Sequence, residues 1–384
     1  MSDRPRARPR LLVLRALGLG DLLTAVPALT ALRRAHPAHE VVLAAPAGLR
    51  EAARATGVVD RLLPAAAPGR AVPPTLTWEG RPPELAVDLH GTGPESQDLL
   101  RTVRPARLLA YAAPDGPPPA VAEHERERWC RLLRWHGVPA DADEVRLPRP
   151  TGPSPAPGAV VLHPGAAAGS RCWPPERFAE VAAAVRAAGR PVVVTAGPGE
   201  ERLAARVAVL AGLPDDTVRS GMPFDVLSAL VAGAGAVVSG DTGVAHLAVA
   251  HGTASVTLFG PVPPSEWGPP ARARHRVLWH PGPRGDPHGD RPDPLLLRVR
   301  PAEVLAALTA LTAHGPLDAP EEPPDDPQEM ACPAAVPGPP RTDVPTRPTT
   351  SGDATSARRS PGPPAPGSAW PSPPVTGRTA SPGR

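Results

Sequence analysis

Three short stretches of the 384-residue chain combine residue types and spacings suited to chemistry. The first is Gly18-Leu19-Gly20-Asp21, which follows the apolar run LLVLRA (11–16) and precedes a helical spacing of Leu22, Val26, Leu29 and Leu32. A strand ending in such a turn delivers Asp21 to the carboxyl end of a sheet, where α/β proteins bind ligands. There the carboxylate has two readings: a general base for a substrate hydroxyl, or a helix cap accepting a backbone N–H. The two conflict in part, because a capping carboxylate has a lowered pKa and is the weaker base. Gly18 and Gly20 let the backbone turn sharply and approach a ligand.

The second stretch runs His163-Pro-Gly-Ala-Ala-Ala-Gly-Ser-Arg171-Cys-Trp173-Pro174. A loop of small residues leading from a strand into a helix offers backbone N–H groups to an anion, helped by the helix dipole. Arg171 adds a bidentate cation suited to a diphosphate, unless it is simply a surface arginine beside a Trp-Pro helix start. Cys172 has no histidine near it in sequence and reads as a packing residue. The third stretch, Ser239-Gly240-Asp241-Thr242-Gly243-Val-Ala-His246, is the strongest local signal. It joins a strand to a helix through a tight turn rich in hydroxyl and amide donors, the form of a second phosphate cradle. His246, one turn into that helix, can point back at the same ligand. The plainer reading makes Asp241 a cap and His246 a satisfied, partly buried side chain. Contact with a sugar hydroxyl suits Asp241 better than contact with phosphate.

Other patterns carry less. As a dinucleotide fingerprint the first turn fails, because Leu23 stands at the third glycine position and Ala44-Ala45 end the second strand without an acid. Asp141-Ala-Asp143 spells a metal-binding D-x-D but lies in the Pro- and Gly-rich stretch 138–159 leading to the second lobe rather than at the end of a buried strand. His275, His280 and His288 fall in a Pro/Gly/Arg-rich stretch read as a loop, without metal-ligand spacing. The chain contains no nucleophile elbow, P-loop or H-E-x-x-H.

The elements that must position these residues alternate in the βα manner of a parallel sheet wrapped by helices. Strands are expected at 11–16, 40–46 and 84–91, with an Arg/Glu-rich helix at about 122–137. The same grammar restarts with strands at 159–165, 191–198, 236–240 and 255–261. Its helices are expected at 174–189, 200–212, 224–234, after 242, and at 301–313. Two doubly wound lobes are predicted, over residues 10–150 and 159–315, joined by a Pro-rich linker at 151–158. Residues 1–9 form a basic N-terminal extension. From 316 to 384, 19 of 69 residues are Pro in a Ser/Thr/Gly/Arg background, a composition that predicts disorder.

Composition excludes several classes. The net charge of +3 comprises +3 from residues 1–10, −2 from 316–384 and +2 from the body, too balanced for a dedicated nucleic-acid binder. Every cation except histidine is arginine, and only 11 residues are aromatic, so Ala, Val and Leu must build the core. Three scattered cysteines (130, 172, 332) exclude a disulfide framework and a Cys-type zinc site. Arg15 and Asp21 interrupt the first apolar stretch, which therefore reads as neither signal peptide nor membrane span; a reducing, cytoplasmic setting is expected.

Taken in order, these motifs resemble the heptosyltransferase family, glycosyltransferase family 9. The resemblance rests on GLGDLLTAVPALTAL, Asp88-Leu-His-Gly91, Arg171 before Trp173-Pro174, Ala196-Gly-Pro198 with Glu200, Asp241-Thr-Gly-x-x-His246 and Phe259-Gly-Pro261. It implies a GT-B fold, with the acceptor in the first lobe and a nucleotide-sugar in the second, and an inverting reaction needing neither metal nor cofactor. By position, Asp21 becomes the base, and Arg171, Thr242-Gly243 and His246 hold the donor diphosphate. Glu200 or its neighbour Glu201 meets the ribose. The resemblance also implies an ADP-heptose-like donor, a glycan or glycolipid acceptor at the cell surface, and a peripheral membrane contact to which the four N-terminal arginines suit. Arg171 departs from the lysine common in the family, and Ala166 and Ala167 stand where some members carry Ser or Thr. Two alternatives remain open: a catalytically silent nucleotide- or glycan-binding protein of the same fold, and a Rossmann-type oxidoreductase.

Overall fold

The computed structural model describes residues 8–120 and 122–312. The expectations for most of the basic extension, for Cys332 and for the segment 316–384 lie outside them. The first lobe runs β1 (Arg10–Leu14), α1 (Leu19–Thr24), α2 (Val26–Ala35), β2 (Glu40–Ala45), α3 (Arg50–Ala55), β3 (Arg61–Pro64), β4 (Leu85–Asp88), α4 (Pro94–Arg101), β5 (Arg107–Leu109) and α5 (Glu125–Trp135). The second runs β6 (Val160–His163), α6 (Pro175–Ala187), β7 (Val192–Ala196), α7 (Glu201–Leu210), β8 (Val218–Ser220), α8 (Phe224–Ala232), β9 (Ala236–Gly240), α9 (Gly243–His251), β10 (Ser255–Leu258), α10 (Pro264–Trp267), β11 (His275–Leu278) and α11 (Pro301–Thr312).

Every strand pairing is parallel. The sheet orders are β3-β2-β1-β4-β5 and β11-β10-β9-β6-β7-β8. Both are doubly wound, and each reverses direction once: between β1 and β4, and between β6 and β9. Crevices outside the carboxyl ends of such strand pairs are where open α/β sheets bind ligands. The four apolar residues of β1 are fully buried and divide by the two-residue period. Leu11 and Val13 join a core with α2 and α5, whereas Leu12 and Leu14 face Leu99 and Leu100 of α4. In the second lobe, Val160 and Leu162 pack with Trp173, Phe178 and α11, and Val161 packs with α9. That last cluster also takes in Leu23 and Val26, so the two lobes share an apolar seam.

Three local expectations change. The helix read as continuous after Asp21 breaks at Ala25, because Pro27, second in α2, has no N–H to give the preceding turn. His275 lies on β11 rather than in a loop, and its Nδ1 sits 2.9 Å from Ser255 Oγ. The short strands β3, β5 and β8 complete sheet edges that hydrophobic periodicity did not reveal.

Burial, with Arg274 and Arg272 close by, pushes the His275 imidazole down to about 3; burial and Arg146 push His251 down to about 4. Unfolded histidine titrates near 6.5, so below that value the unfolded chain binds more protons than the folded one. The stability these residues contribute is complete above pH 6.5 and lost as the pH falls toward 4. Thermal melts at pH 7 and pH 5 in one buffer should show the lower midpoint at pH 5, and an unchanged midpoint would refute this.

Candidate active site

Asp21 sits at the third position of α1, buried beside the β1/β4 switch point. It is not the cap residue expected from the pattern: Gly18 occupies that position and donates its N–H back to Asp21 Oδ2 at 3.2 Å. Arg70 grips both carboxylate oxygens, Nη1 to Oδ2 at 3.0 Å and Nη2 to Oδ1 at 2.7 Å. Arg15 reaches Oδ1 at 3.3 Å. Burial alone would raise the carboxyl's pKa, but Arg15, Arg70 and the Gly18 N–H outweigh it and hold it below the ordinary value.

Arg15 is itself almost wholly buried. Its guanidinium donates to the carbonyls of Asp21 and Leu89 and to Glu125 Oε1, and lies over the Trp129 ring. Glu125 Oε1 also accepts from the Trp129 indole N–H at 3.0 Å, so β1 and α5 are locked together beneath Asp21. At the end of β4, Asp88 accepts from the His90 and Gly91 N–H groups and from Ser96 Oγ, which fixes the turn. His90 lies next to Asp21, Arg15 and Arg70. Burial and the two arginines push its imidazole down to about 4, and neither ring nitrogen has a hydrogen bond of normal geometry.

In the second lobe the turn after β9 presents the other half. Thr242, not Asp241, is the cap residue of α9. The Asp241 carboxylate turns sideways instead, 3.4 Å from His246 Nε2 and 3.8 Å from Arg171 Nη1, and Arg171 Nη1 donates to the Asp241 carbonyl at 3.2 Å. The Arg171 loop is held by its neighbour: the Trp173 indole donates to the Val299 carbonyl, and its ring packs edge-on against Phe178. Cys172 is half-buried with its thiol pushed up by burial, consistent with packing. Around this turn Ser170 Oγ, Arg171 Nε, Ser239 Oγ and Thr242 Oγ1 are buried without partners. Natural proteins rarely leave such groups unpaired, and four at one switch point mark a place for a polar ligand.

Glu200 lies at the neighbouring strand end. Its Oε2 accepts from the Gly197 N–H at 2.7 Å and stands 3.7 Å from His163 Nε2, in space left open by Gly165, where a Cβ would overlap the carboxylate. Glu201 instead turns to the Gly199 N–H of its own loop and is exposed. Among the described residues no group of His, Cys, Asp and Glu has the arrangement of a metal site, and Asp141 and Asp143 are exposed, Asp141 Oδ1 accepting from the Asp143 N–H.

The two halves meet at α1 and α9. A Cβ on Gly20 would stand 3.0 Å from the His246 ring, and one on Gly243 3.0 Å from Leu19 Cβ. Gly18 and Gly20 do not serve the turn by unusual torsion, since neither has a positive φ. Gly20 is small because the opposite lobe passes there. Trp267, at the end of α10, stands edge-on to His246 and under Arg70, linking the two sides. The structure thus gathers Asp21, Arg171, Asp241, Thr242, Gly243 and His246 around one cleft, with Glu200 at its second-lobe margin. Sequence reasoning missed Arg70, Arg15 and His90. Of these only His90 stood in a motif, Asp88-Leu-His-Gly91.

Two parallel doubly wound lobes facing a cleft define the GT-B class. Within it, residues 142–288 match the glycosyltransferase family 9 (heptosyltransferase) model. A curated relative, lipopolysaccharide heptosyltransferase 3 of Escherichia coli, is 34% identical over 113 residues; the match spans 29% of this chain and 33% of that protein. The fold is similar to that of the E. coli ADP-heptose LPS heptosyltransferase II, with a TM-score of 0.64 and 19% identity over 79% of this chain and 99% of the other. It is also similar to an E. coli heptosyltransferase solved with ADP, with a TM-score of 0.59 and 19% identity over 78% and 99%.

Proposed function

We propose that the protein is an inverting glycosyltransferase that moves a heptose or related sugar from a nucleoside-diphosphate donor to a glycan or glycolipid hydroxyl. One observation carries this reading: a buried carboxylate at one switch point faces four buried, unpaired polar atoms at the other, and those four atoms lie within the residues that match family 9. The donor diphosphate lies on the Thr242-Gly243 turn between Arg171 and His246, with Asp241 orienting both side chains. Glu200, which points inward where Glu201 does not, takes the ribose. The acceptor hydroxyl sits at Asp21 and attacks the anomeric carbon from the face opposite the diphosphate. The bond from that carbon to the phosphate oxygen breaks, its electron pair leaves on the diphosphate, and the hydroxyl proton passes to Asp21. Fixed donors aimed at the departing charge lower this barrier without reorganising during the step. Metal independence belongs to the proposal through the family resemblance, and so does action on a membrane-borne acceptor from the cytoplasmic side. Among the described residues no helix is long and apolar enough to cross a membrane.

A thermal-shift series on the full chain with ADP, GDP, UDP, dTDP and NADH tests the donor half. A ligand at about 100 times its Kd stabilises by about 2.7 kcal/mol. A shift with one nucleoside diphosphate is expected, with ADP first, and it should vanish in Arg171→Ala. A shift with NADH alone would revive the oxidoreductase reading, against which the family 9 match over residues 142–288 stands. One observation favours the silent-binder reading: both oxygens of Asp21 are already occupied by arginine. The Asp21 variant discussed below separates that reading from an enzyme.

A further inference from the structure

The Asp21 carboxylate accepts four hydrogen bonds, two on each oxygen, and the donors differ in how firmly they are held. Gly18 donates from the backbone. Arg15 is buried and committed to two carbonyls and Glu125 as well, so it cannot swing away without breaking all of them. Arg70 is different. It lies in the segment between β3 and β4, its side chain is 45% exposed, and both of its hydrogen bonds go to Asp21 alone. With all four donors in place, a substrate hydroxyl has no acceptor site on either oxygen, and Arg70 is the donor free to leave.

We propose that Arg70 is a removable clamp on Asp21: it occupies the carboxylate in the free protein and gives way to the acceptor hydroxyl, with the face of Trp267 as its seat. The guanidinium already stands 6.0 Å from the centre of that ring, across the cleft. This rests on the function proposed above. Displacement does two things at once. It opens a carboxylate oxygen to the hydroxyl, and it removes a cation that holds Asp21 deprotonated, so the base strengthens when it has a proton to take. The other groups facing the carboxylate stay where they are: Arg15 at the end of β1, the Gly18 N–H of α1, neutral His90 after β4, and Glu125 of α5 behind Arg15. Asp241, from the opposite lobe, acts on Arg70. Until the acceptor arrives, Arg70 also keeps water from Asp21, which protects a bound donor from hydrolysis.

The test uses the full chain with carbon-13 at aspartate carboxyls, titrated by NMR, with Asp21→Asn identifying the resonance. In Arg70→Ala the Asp21 midpoint should rise by about one to three pH units, and in Arg70→Lys it should stay near the wild-type value. Where the wild type transfers sugar, release of ADP from ADP-heptose without acceptor should rise about tenfold in Arg70→Ala, less than the roughly 10²–10⁴-fold that a fully positioned general base supplies. An Asp21 midpoint equal in wild type and Arg70→Ala overturns the clamp, as does equal ADP release from active proteins. If neither protein turns over any nucleotide-sugar, the proposed function fails, while the titration alone still decides the clamp.

Discussion

Replacing Asp21 by Asn should lower glycosyl transfer by about 10²–10⁴-fold, the range over which a positioned general base acts, while donor binding persists. Asparagine keeps the shape and can still accept from the Gly18 N–H, but it cannot take the hydroxyl proton. The donor-side groups stand on the other lobe, at the β6/β9 switch point, and none of them bonds to Asp21. The thermal shift with the nucleoside diphosphate should therefore be retained. Initial rates at saturating donor, read beside that shift, check both halves. Near-normal turnover would remove Asp21 from the base role. Absence of turnover in wild type and variant alike, with the shift retained in both, would leave a nucleotide-binding protein without transferase chemistry. The wild-type kcat/KM for acceptor, which reports the groups of the free enzyme, should also fall in acid as Asp21 protonates, with a midpoint below that of an ordinary aspartate, because Arg15 and Arg70 hold it there.

The largest expected effect on stability comes from Arg15→Met. Arg15 is 1% exposed and ties four partners together: the Asp21 and Leu89 carbonyls and the Asp21 and Glu125 carboxylates. Methionine fills much of the volume and restores none of those bonds. Glu125 keeps Arg128 and the Trp129 indole, yet it loses its fully buried cation. Removing one member of a buried ion pair typically costs about 3–5 kcal/mol, a large part of a domain's total stability. Urea denaturation should show a clearly lower midpoint. Arg15→Lys should fall between wild type and methionine, since it keeps the charge but cannot reach every acceptor of the fork. A midpoint for Arg15→Met within about 0.5 kcal/mol of wild type, the range usual for surface positions, would show that the network contributes little.

The fold was legible where local chemistry carries it. The strand-turn-helix passages around Asp21, Arg171 and Thr242 announce themselves through apolar runs, small residues and following helical periods, and each stands at a switch point of its sheet. The edge strands were not legible, because three or four residues such as Arg107–Leu109 hold too few alternations to register. His275 was misread for a related reason: HRVL sits among arginine and proline, and only pairing with β10 makes it a strand. The site was half legible. Asp21 and the 241–246 turn lie in compact motifs, whereas Arg15 meets Glu125 across 110 positions and Arg70 meets Asp21 across 49. Nothing in the Pro- and Ala-rich stretch before Arg70 distinguishes it from the other arginines of the chain. Helix caps were mislocated by one to three residues, for Asp241 and Asp21, because glycine and threonine can fill the cap position and leave the acid free to turn elsewhere.

The glycines at positions 20 and 243 set a mechanical condition on this molecule. They bring the starts of α1 and α9 into contact immediately beside Asp21 and Thr242. A pair of jaws that rotates about a fulcrum moves its tips far and the material next to the fulcrum very little. Rotation about the Gly20–Gly243 contact would therefore widen the rim of the cleft while hardly changing the separation of Asp21 and the 241–243 turn. Side chains at these two positions would shift the fulcrum itself, and with it the register of the two halves of the site.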